Sequence, residues 1–433
     1  MKINLYLPRS SSNMQNSSIS GFYKLSVEER REIVKKFSNL NDEEMSLLRN
    51  MGSLGESTAD HMIENVVSVM EVPIGIAVNF LVNNKDYLIP MAIEEPSVVA
   101  AASNAARMAR VKGGFRSVST EPIMIGQIEL TGVSDPFGAK FRILERKKEL
   151  LELANSQDPV LVKVGGGAKD LEVRIIDEKE PMVVVHLLVD VRDAMGANAV
   201  NTMAEYLAPH ISEISRGNVR LRILSNLATY RITSSYAIFD RKTIGGDDTV
   251  QGIVEAYKFA SIDPYRATTH NKGIMNGIDS VLIATANDWR AIEAGAHSYA
   301  AMEHYTSLTR WEINEDGDLV GYIELPLAVG IVGGATATHP KARLMRKILG
   351  ISSAKEFANI LASVGLAQNF GAIRALAVEG IQKGHMELHA RNVAISAGAK
   401  GDEVDKVADM MVRERKIRGD VAAEMLKKLR ETN

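Results

Sequence analysis

Between Pro122 and Asn226 the chain carries a pattern that few folds can satisfy. Alternating or continuous apolar runs mark strands over 123–131, 171–176, 182–191 and 219–224, and apolar residues at helical spacing mark helices over 139–155 and 198–215. The order is β-α-β-β-α-β. Each half leaves one apolar strand face and one apolar helix stripe uncovered, and pairing the halves covers both. The expected result is a four-stranded antiparallel sheet with two helices on one face, the split β-α-β or ferredoxin-like arrangement.

With 433 residues, 45% of them hydrophobic, the chain is long enough for more than this unit. The flanking stretches 1–121 and 229–378 read as one large mixed α/β domain that receives 122–228 as an insertion, and 379–433 reads as a small, mobile helical flap. Within the large domain, 72–90 reads as strands around a turn at Asn83-Asn84-Lys85, and 98–110 as an alanine-rich helix with Pro96 at a first helical position. A hairpin is expected over 312–325 around Asp316-Gly317, and two helices over 353–363 and 368–382. The first twenty residues read as a mobile arm, after which Ser26 can cap a charged helix.

A net charge of -3 and a pI near 6.4 give no electrostatic footprint for nucleic acid or an anionic membrane. The absence of cysteine removes disulfides, thiolate nucleophiles and Cys-ligated metals. No apolar run reaches the roughly eighteen residues of a membrane span, and residues 1–20 lack an apolar signal core, so a cytoplasmic protein is expected.

Two loops of the inserted module suit a dinucleotide. Asp193-Ala194-Met195-Gly196-Ala197-Asn198 follows a strand and opens a helix, so backbone N–H groups and the helix dipole can meet a pyrophosphate, with Gly196 permitting close approach. Gly165-Gly166-Gly167 offers a second such turn. Neither fits Gly-x-Gly-x-x-Gly, so the ordinary dinucleotide fingerprint is absent and a plain tight turn is the alternative for each.

The densest polar chemistry lies at 263–299. Asn271-Lys272-Gly273 and Asn287-Asp288-Trp289 flank an apolar run at 278–286, which places both triplets at the ends of one buried element, facing one cavity. In a dry cavity Asp288 would hold Lys272 charged, ready to meet an oxygen that turns negative in a reaction. A solvated loop lysine and a helix N-cap at Asp288 are the structural alternatives. His270, Asn271, Asn276 and Asn287 add polar groups that need partners if buried. His385 and His389 share a helical spacing, but Met386 stands where the zinc-protease pattern requires glutamate, so no metal is expected.

Thr-His-Asn-Lys-Gly-Ile-Met-Asn-Gly, followed by Asn-Asp-Trp-Arg-Ala-Ile-Glu-Ala-Gly-Ala-His, resembles the catalytic core of the 3-hydroxy-3-methylglutaryl coenzyme A (HMG-CoA) reductase family. Ordered matches run from Glu64-Asn65-Val66 through Glu94-Glu95-Pro96-Ser97, the Asp193–Asn198 loop and Gly333-Gly334-Ala335-Thr336 to Gly384-His385-Met386. The Glu-Glu-Pro-Ser and Asn-Asp-Trp forms resemble the soluble class II branch of bacteria and archaea.

The resemblance implies four-electron reduction of HMG-CoA to mevalonate and free coenzyme A with two NAD(P)H, or the reverse, in a homodimer or larger assembly with active sites between subunits. It assigns Lys272 to the oxyanion, with Asp288 and Asn271 holding it, His385 on the flap to the departing thiolate, and Glu95 to the mevaldehyde oxygen. Without it, Glu95 would be a dipole-complementing residue at a helix N-terminus. It further implies cofactor contacts at Asp193, Ala194, Met195, Gly196, Asn198, Asn226, Gly333 and Gly334. Substrate contacts are implied at Ser97, Arg266, Asn271, Gln368 and Asn369, the last two starting the helix at 368. Asp158 falls where NADH-using relatives carry an aspartate on the ribose 2′-hydroxyl, which favours NAD over NADP. A non-catalytic, nucleotide-responsive protein of the same fold is the alternative; it would have no reason to keep Glu95, Lys272, Asp288 and His385 together.

Overall fold

The computed structural model describes residues 16–49, 54, 56–63, 69–176, 181–378, 381–414 and 416–432, with only the backbone described over 381–388. Most of the expected N-terminal arm and the Glu64-Asn65-Val66 match lie outside the described residues. Ten strands occur among the described residues. They are β1 (Ile74–Val82), β2 (Lys85–Ala92), β3 (Phe115–Ser119), β4 (Ile123–Thr131), β5 (Gly167–Ile176), β6 (Met182–Asp190), β7 (Asn218–Ser225), β8 (Ile232–Phe239), β9 (Thr309–Ile313) and β10 (Leu319–Pro326).

The smaller sheet has the order β5-β6-β4-β7 and is antiparallel throughout, as the split β-α-β pattern requires. Its helix Ala197–Ser215 buries Val200, Met203, Ala204, Leu207 and Ile211, a stripe at helical spacing. The first helix of the pattern is broken in two, Pro136–Glu145 and Lys147–Asn155, at Arg146, whose φ of -96° and ψ of 15° leave the helical region.

The larger sheet has the order β2-β1-β3-β8-β10-β9. Asn83 and Asn84 turn the β1–β2 hairpin with φ of 50° and 65°, the left-handed pair a two-residue hairpin prefers. After β2 the chain departs from expectation: the helix is Val98–Arg110, with Pro96 ahead of its N-cap and Ser97 as that cap at φ 76°. Near the N-terminus, Ser26 and Glu29 form the capping box, while buried Ser17 donates to the Phe80 carbonyl (3.0 Å) and to Asp86 (2.7 Å), tying down the end of the arm.

Two further helices differ from their sequence reading. The stretches read as two helices at 353–363 and 368–382 are one, Ala354–Val378. Lys272, read as lying in a polar triplet at an element's end, sits inside the helix Pro264–Ala284, which Asp263 caps by accepting from the Arg266 N–H at 2.9 Å. The glycines that resemble breakers serve the crossing of these two helices. A Cβ on Gly277 would lie 2.9 Å from the Gln368 Cβ, and one on Gly365 would lie 2.8 Å from the Ile278 Cδ1. An interior glycine costs about 1 kcal/mol of helix propensity, less than the roughly 1.5–3 kcal/mol from burying each of Ile274, Ile278 and Leu282.

Helix Ala354–Val378 packs against β3, β8 and β10, where Phe370 stacks on Phe239 with ring centroids 3.9 Å apart. By length and composition it could cross a membrane, which corrects the expectation that no such run exists. Yet 67% of its most apolar window is buried against the chain's own elements, as in a core helix. At the C-terminus, helices Ile381–Ser396, Asp402–Glu414 and Gly419–Thr432 enclose a core of their own that includes Ala394, Val407, Met411 and Leu426.

Candidate active site

Lys272 donates to Glu95 Oε2 at 2.8 Å, and Asn276, one helical turn further on, reaches both Glu95 oxygens at 3.3 Å. Glu95 is carried by the short segment between β2 and the Ser97 cap. The two elements thus bring an ammonium, a carboxylate and an amide together from positions 177 and 181 residues apart in sequence.

Asp288 does not join them within one chain. From Lys272 to the helix C-cap at Thr285 the backbone advances by about 20 Å at 1.5 Å per residue, and Asp288 lies beyond that end. There it caps helix Trp289–Ala300, accepting from the Ala291 N–H at 3.1 Å, and pairs with Arg290 at 3.1 Å. The expected partnership of Lys272 with Asp288 is therefore replaced, in the single chain, by Lys272 with Glu95. Nor is the site dry: the Lys272 and Glu95 side chains are 59% and 37% exposed. An ion pair so open contributes about 0–1 kcal/mol.

Asn271, expected to hold Lys272, faces the opposite way. It is fully buried, donating to the Thr306 carbonyl at 2.8 Å and accepting from the Leu308 N–H at 3.0 Å. His270 is buried beside it, with Nε2 2.8 Å from Thr309 Oγ1 and 3.0 Å from Asn369 Nδ2. Burial, and then the Arg266 charge, push its pKa down to about 3, so the imidazole is neutral. Asn369 also accepts from Trp311 Nε1 at 2.8 Å and from Thr309 Oγ1 at 2.9 Å. It lies in mid-helix rather than at a helix start, and these protein partners occupy its amide.

Three other expected substrate contacts keep uncommitted groups. Ser97 Oγ and Gln368 Oε1 are buried without a hydrogen-bond partner. The half-buried Arg266 guanidinium has no hydrogen bond or ion pair among the described residues, and burial lowers its pKa. Buried polar groups normally find partners, so these are groups a bound molecule would complete.

The expected cofactor residues gather on the other side of the 287–288 corner. Gly196, at φ 101°, precedes helix Ala197–Ser215, which has no side-chain cap and no acid in its first turn; its N–H groups are left for an anion. Asp193 accepts from the Ala354 N–H at 2.8 Å through its side chain and from the Ile331 N–H at 2.9 Å through its carbonyl. Ala194 pairs with Val332, and a Cβ on Gly330 would lie 2.5 Å from the Met195 nitrogen. Gly333 and Gly334 follow at φ 77° and 55°, with open space where a side chain would project. The structure thereby joins two glycine-bearing segments that are far apart in sequence. Asn287 Oδ1 accepts from the Gly330 N–H at 3.0 Å and links them to the Asp288 corner.

Asn198 is exposed on the first turn of the same helix. Asn226, at the end of β7, accepts from the Ala228 N–H at 3.0 Å through its carbonyl. Asp158 caps helix Pro159–Lys163 through Oδ1, 2.9 Å from the Leu161 N–H. The turn after that helix abuts the module's central strands, since a Cβ on Gly166 would lie 2.7 Å from the Asp190 carbonyl. The His385 side chain is outside the described residues, its backbone lying in helix Ile381–Ser396. Two residues beside the site were given no role from the sequence. Asn276 was noted only as one polar group of the cluster, and its four-residue spacing from Lys272 gains meaning once the helix is recognised; Arg231 has no sequence signal.

The sequence profile of hydroxymethylglutaryl-coenzyme A reductase matches residues 26–390. A 3-hydroxy-3-methylglutaryl-coenzyme A reductase of Archaeoglobus fulgidus is 59% identical over 416 residues, covering 96% of this chain and 95% of that protein. A probable reductase of the same name from Borreliella burgdorferi is 35% identical, covering 97% and 99%. Among solved structures, the reductase of Streptococcus pneumoniae superposes with a TM-score of 0.81 at 41% identity, over 95% of this chain and 99% of that one. The class II enzyme of the same organism, bound to NADPH in open conformations, superposes with a TM-score of 0.79 at 41% identity, over 94% and 100%. The chain belongs to the hydroxymethylglutaryl-coenzyme A reductase family, in its class II branch.

Proposed function

We propose that this protein reduces HMG-CoA to mevalonate and coenzyme A with two molecules of NADH, in the cytoplasm, at sites each built from two copies of the chain. The observation that carries this reading is the Lys272–Glu95–Asn276 constellation, with Asp288 beyond the far end of the Lys272 helix, whose axis advances about 20 Å from Lys272 to its C-cap. A carbonyl seated over Lys272 places its oxygen against an ammonium whose position Glu95 fixes. Asp288 of a second copy would complete the same cluster and cover an ion pair that one chain leaves open, restoring the low dielectric in which a fixed charge is effective.

The nicotinamide cofactor, held by the 193–198 loop, the uncapped N-terminus of helix Ala197–Ser215 and Gly333-Gly334, supplies hydride. Lys272 then faces the oxyanion at both reductions. After the first, the carbon–sulfur bond breaks and His385 gives its proton to the thiolate, whose pKa of about 8.5 suits an imidazolium donor. After the second, Glu95, once it has taken up a proton from solution, passes it to the alkoxide formed from mevaldehyde, which becomes mevalonate. Ser97, Arg266 and Gln368 offer the uncommitted groups for the acyl chain, the guanidinium matching its carboxylate. Each turnover consumes two hydrides and two protons, and the same residues serve the reverse oxidation of mevalonate.

NADH is favoured because a carboxylate at Asp158 disfavours a 2′-phosphate. Oxidation of NADH and of NADPH by the purified protein with HMG-CoA tests the reading; absence of turnover with either would end it. Asp158→Ser keeps a capping oxygen while removing the charge, so the ratio of NADPH to NADH efficiency should rise, and an unchanged ratio would remove the assignment of NADH.

A further inference from the structure

Arg231, immediately before β8, is 5% exposed, and among the described residues its guanidinium touches no carboxylate. It donates instead to three backbone carbonyls: Nη1 to those of Ala194 and Met195, each at 3.2 Å, and Nη2 to that of Val329. Two belong to the loop ahead of helix Ala197–Ser215, and the third opens the segment that leads to Gly333-Gly334. A buried arginine is costly, and the charges of nearby Asp190 and Asp193 offset only part of that cost. An apolar side chain in its place would leave three carbonyls without donors. The same 329–332 segment is tied to Asp193 through Ile331, to Ala194 through Val332 and to Asn287 through Gly330. Arg231 is thus the side chain that bridges the two segments, and a planar guanidinium is suited to it because one fork spans carbonyls on both sides.

We propose that Arg231 is a positioning residue for the nicotinamide cofactor, its guanidinium pinning the 193–198 loop to the 329–332 segment so that both glycine-bearing surfaces face one ligand. The inference rests on the assignment of these loops to the cofactor. A lysine keeps the charge but cannot reach both segments with one ammonium. Arg231→Lys in the full-length assembly should therefore weaken NADH binding, followed by NADH fluorescence, about tenfold or more, as for a lost charged hydrogen bond. The KM for NADH should rise in step while the KM for HMG-CoA stays at the wild-type value. A purely structural arginine would lower the yield of folded protein without separating the two KM values. Asn198→Asp, which adds a negative charge on the first turn of helix Ala197–Ser215, is the companion variant. If it weakens NADH binding and Arg231→Lys does not, the role of Arg231 is overturned; if neither variant changes NADH affinity, the assignment of the loop itself fails.

Discussion

Asn271 and Lys272 are neighbours in sequence on one helix, yet they belong to different chemistries. Asn271 is fully buried and joins the 306–308 loop to the core, beside a buried hydrogen-bond network of His270, Asn369, Thr309 and Trp311. Lys272 is 59% exposed and, among the described residues, meets Glu95 alone. A cluster of polar residues in sequence can therefore be two things at once. On one helix face the groups are buried and, His270 Nδ1 apart, paired within the protein, and the fold is held; on the other the groups remain open to a substrate.

The contrast predicts opposite outcomes for substitutions on the two faces. Lys272→Ala should lower kcat/KM for HMG-CoA about 10²–10³-fold, the usual cost of losing one oxyanion contact, with the thermal midpoint almost unchanged because an exposed pair adds little stability. A large fall in midpoint with activity retained would reverse the assignment of that face. Asn369→Leu should instead destabilise the protein by about 1–3 kcal/mol in urea unfolding, since Thr309, Trp311 and His270 lose a partner. If it raises the KM for HMG-CoA and leaves stability intact, Asn369 faces the substrate and not the core.

The buried face also carries a pH signature. His270 titrates near 3 in the folded protein against an ordinary 6.5, so the unfolded chain binds its proton first. Its contribution is fully present above pH 6.5 and is lost as pH falls from there toward 3, at up to about 1.4 kcal/mol per pH unit. The stability difference between wild type and His270→Gln, measured at pH 7 and pH 5, should shrink at the lower pH. The corresponding difference for Lys272→Ala should not. A constant gap for His270→Gln would show that the imidazole is not held neutral.

The small sheet was legible in the sequence because β4–β7 are bounded by clear turns and each helix repeats its apolar residues at helical spacing. Lys272 and Asn369 were misplaced for a common reason. Gly273, Gly277 and Gly365 look like punctuation, whereas Gly277 and Gly365, 88 residues apart in sequence, let two helices touch, a long-range fact absent from any local window. Lys272 and Asp288 do not meet within one chain because 278–284 is helix, and each helical residue adds about 1.5 Å of separation. The catalytic roles of Glu95 and His385 rested on family resemblance, since a glutamate at a helix start and a histidine on a charged helix have ordinary structural uses. The contact of Asn276 with Glu95 and the place of Arg231 became visible only through geometry.

Under the proposed function Lys272 and Asp288 act together although one chain keeps them apart. Subunits carrying Lys272→Ala and subunits carrying Asp288→Ala should each be nearly inactive alone. Allowed to assemble at random as dimers, half would be mixed, and each mixed dimer would hold one site with both substitutions and one site with neither. HMG-CoA-dependent NADH oxidation should then recover to about one quarter of the wild-type rate, as expected for a two-fold assembly with shared sites. A mixture of confirmed mixed dimers that stays as inactive as its parents would contradict the shared site.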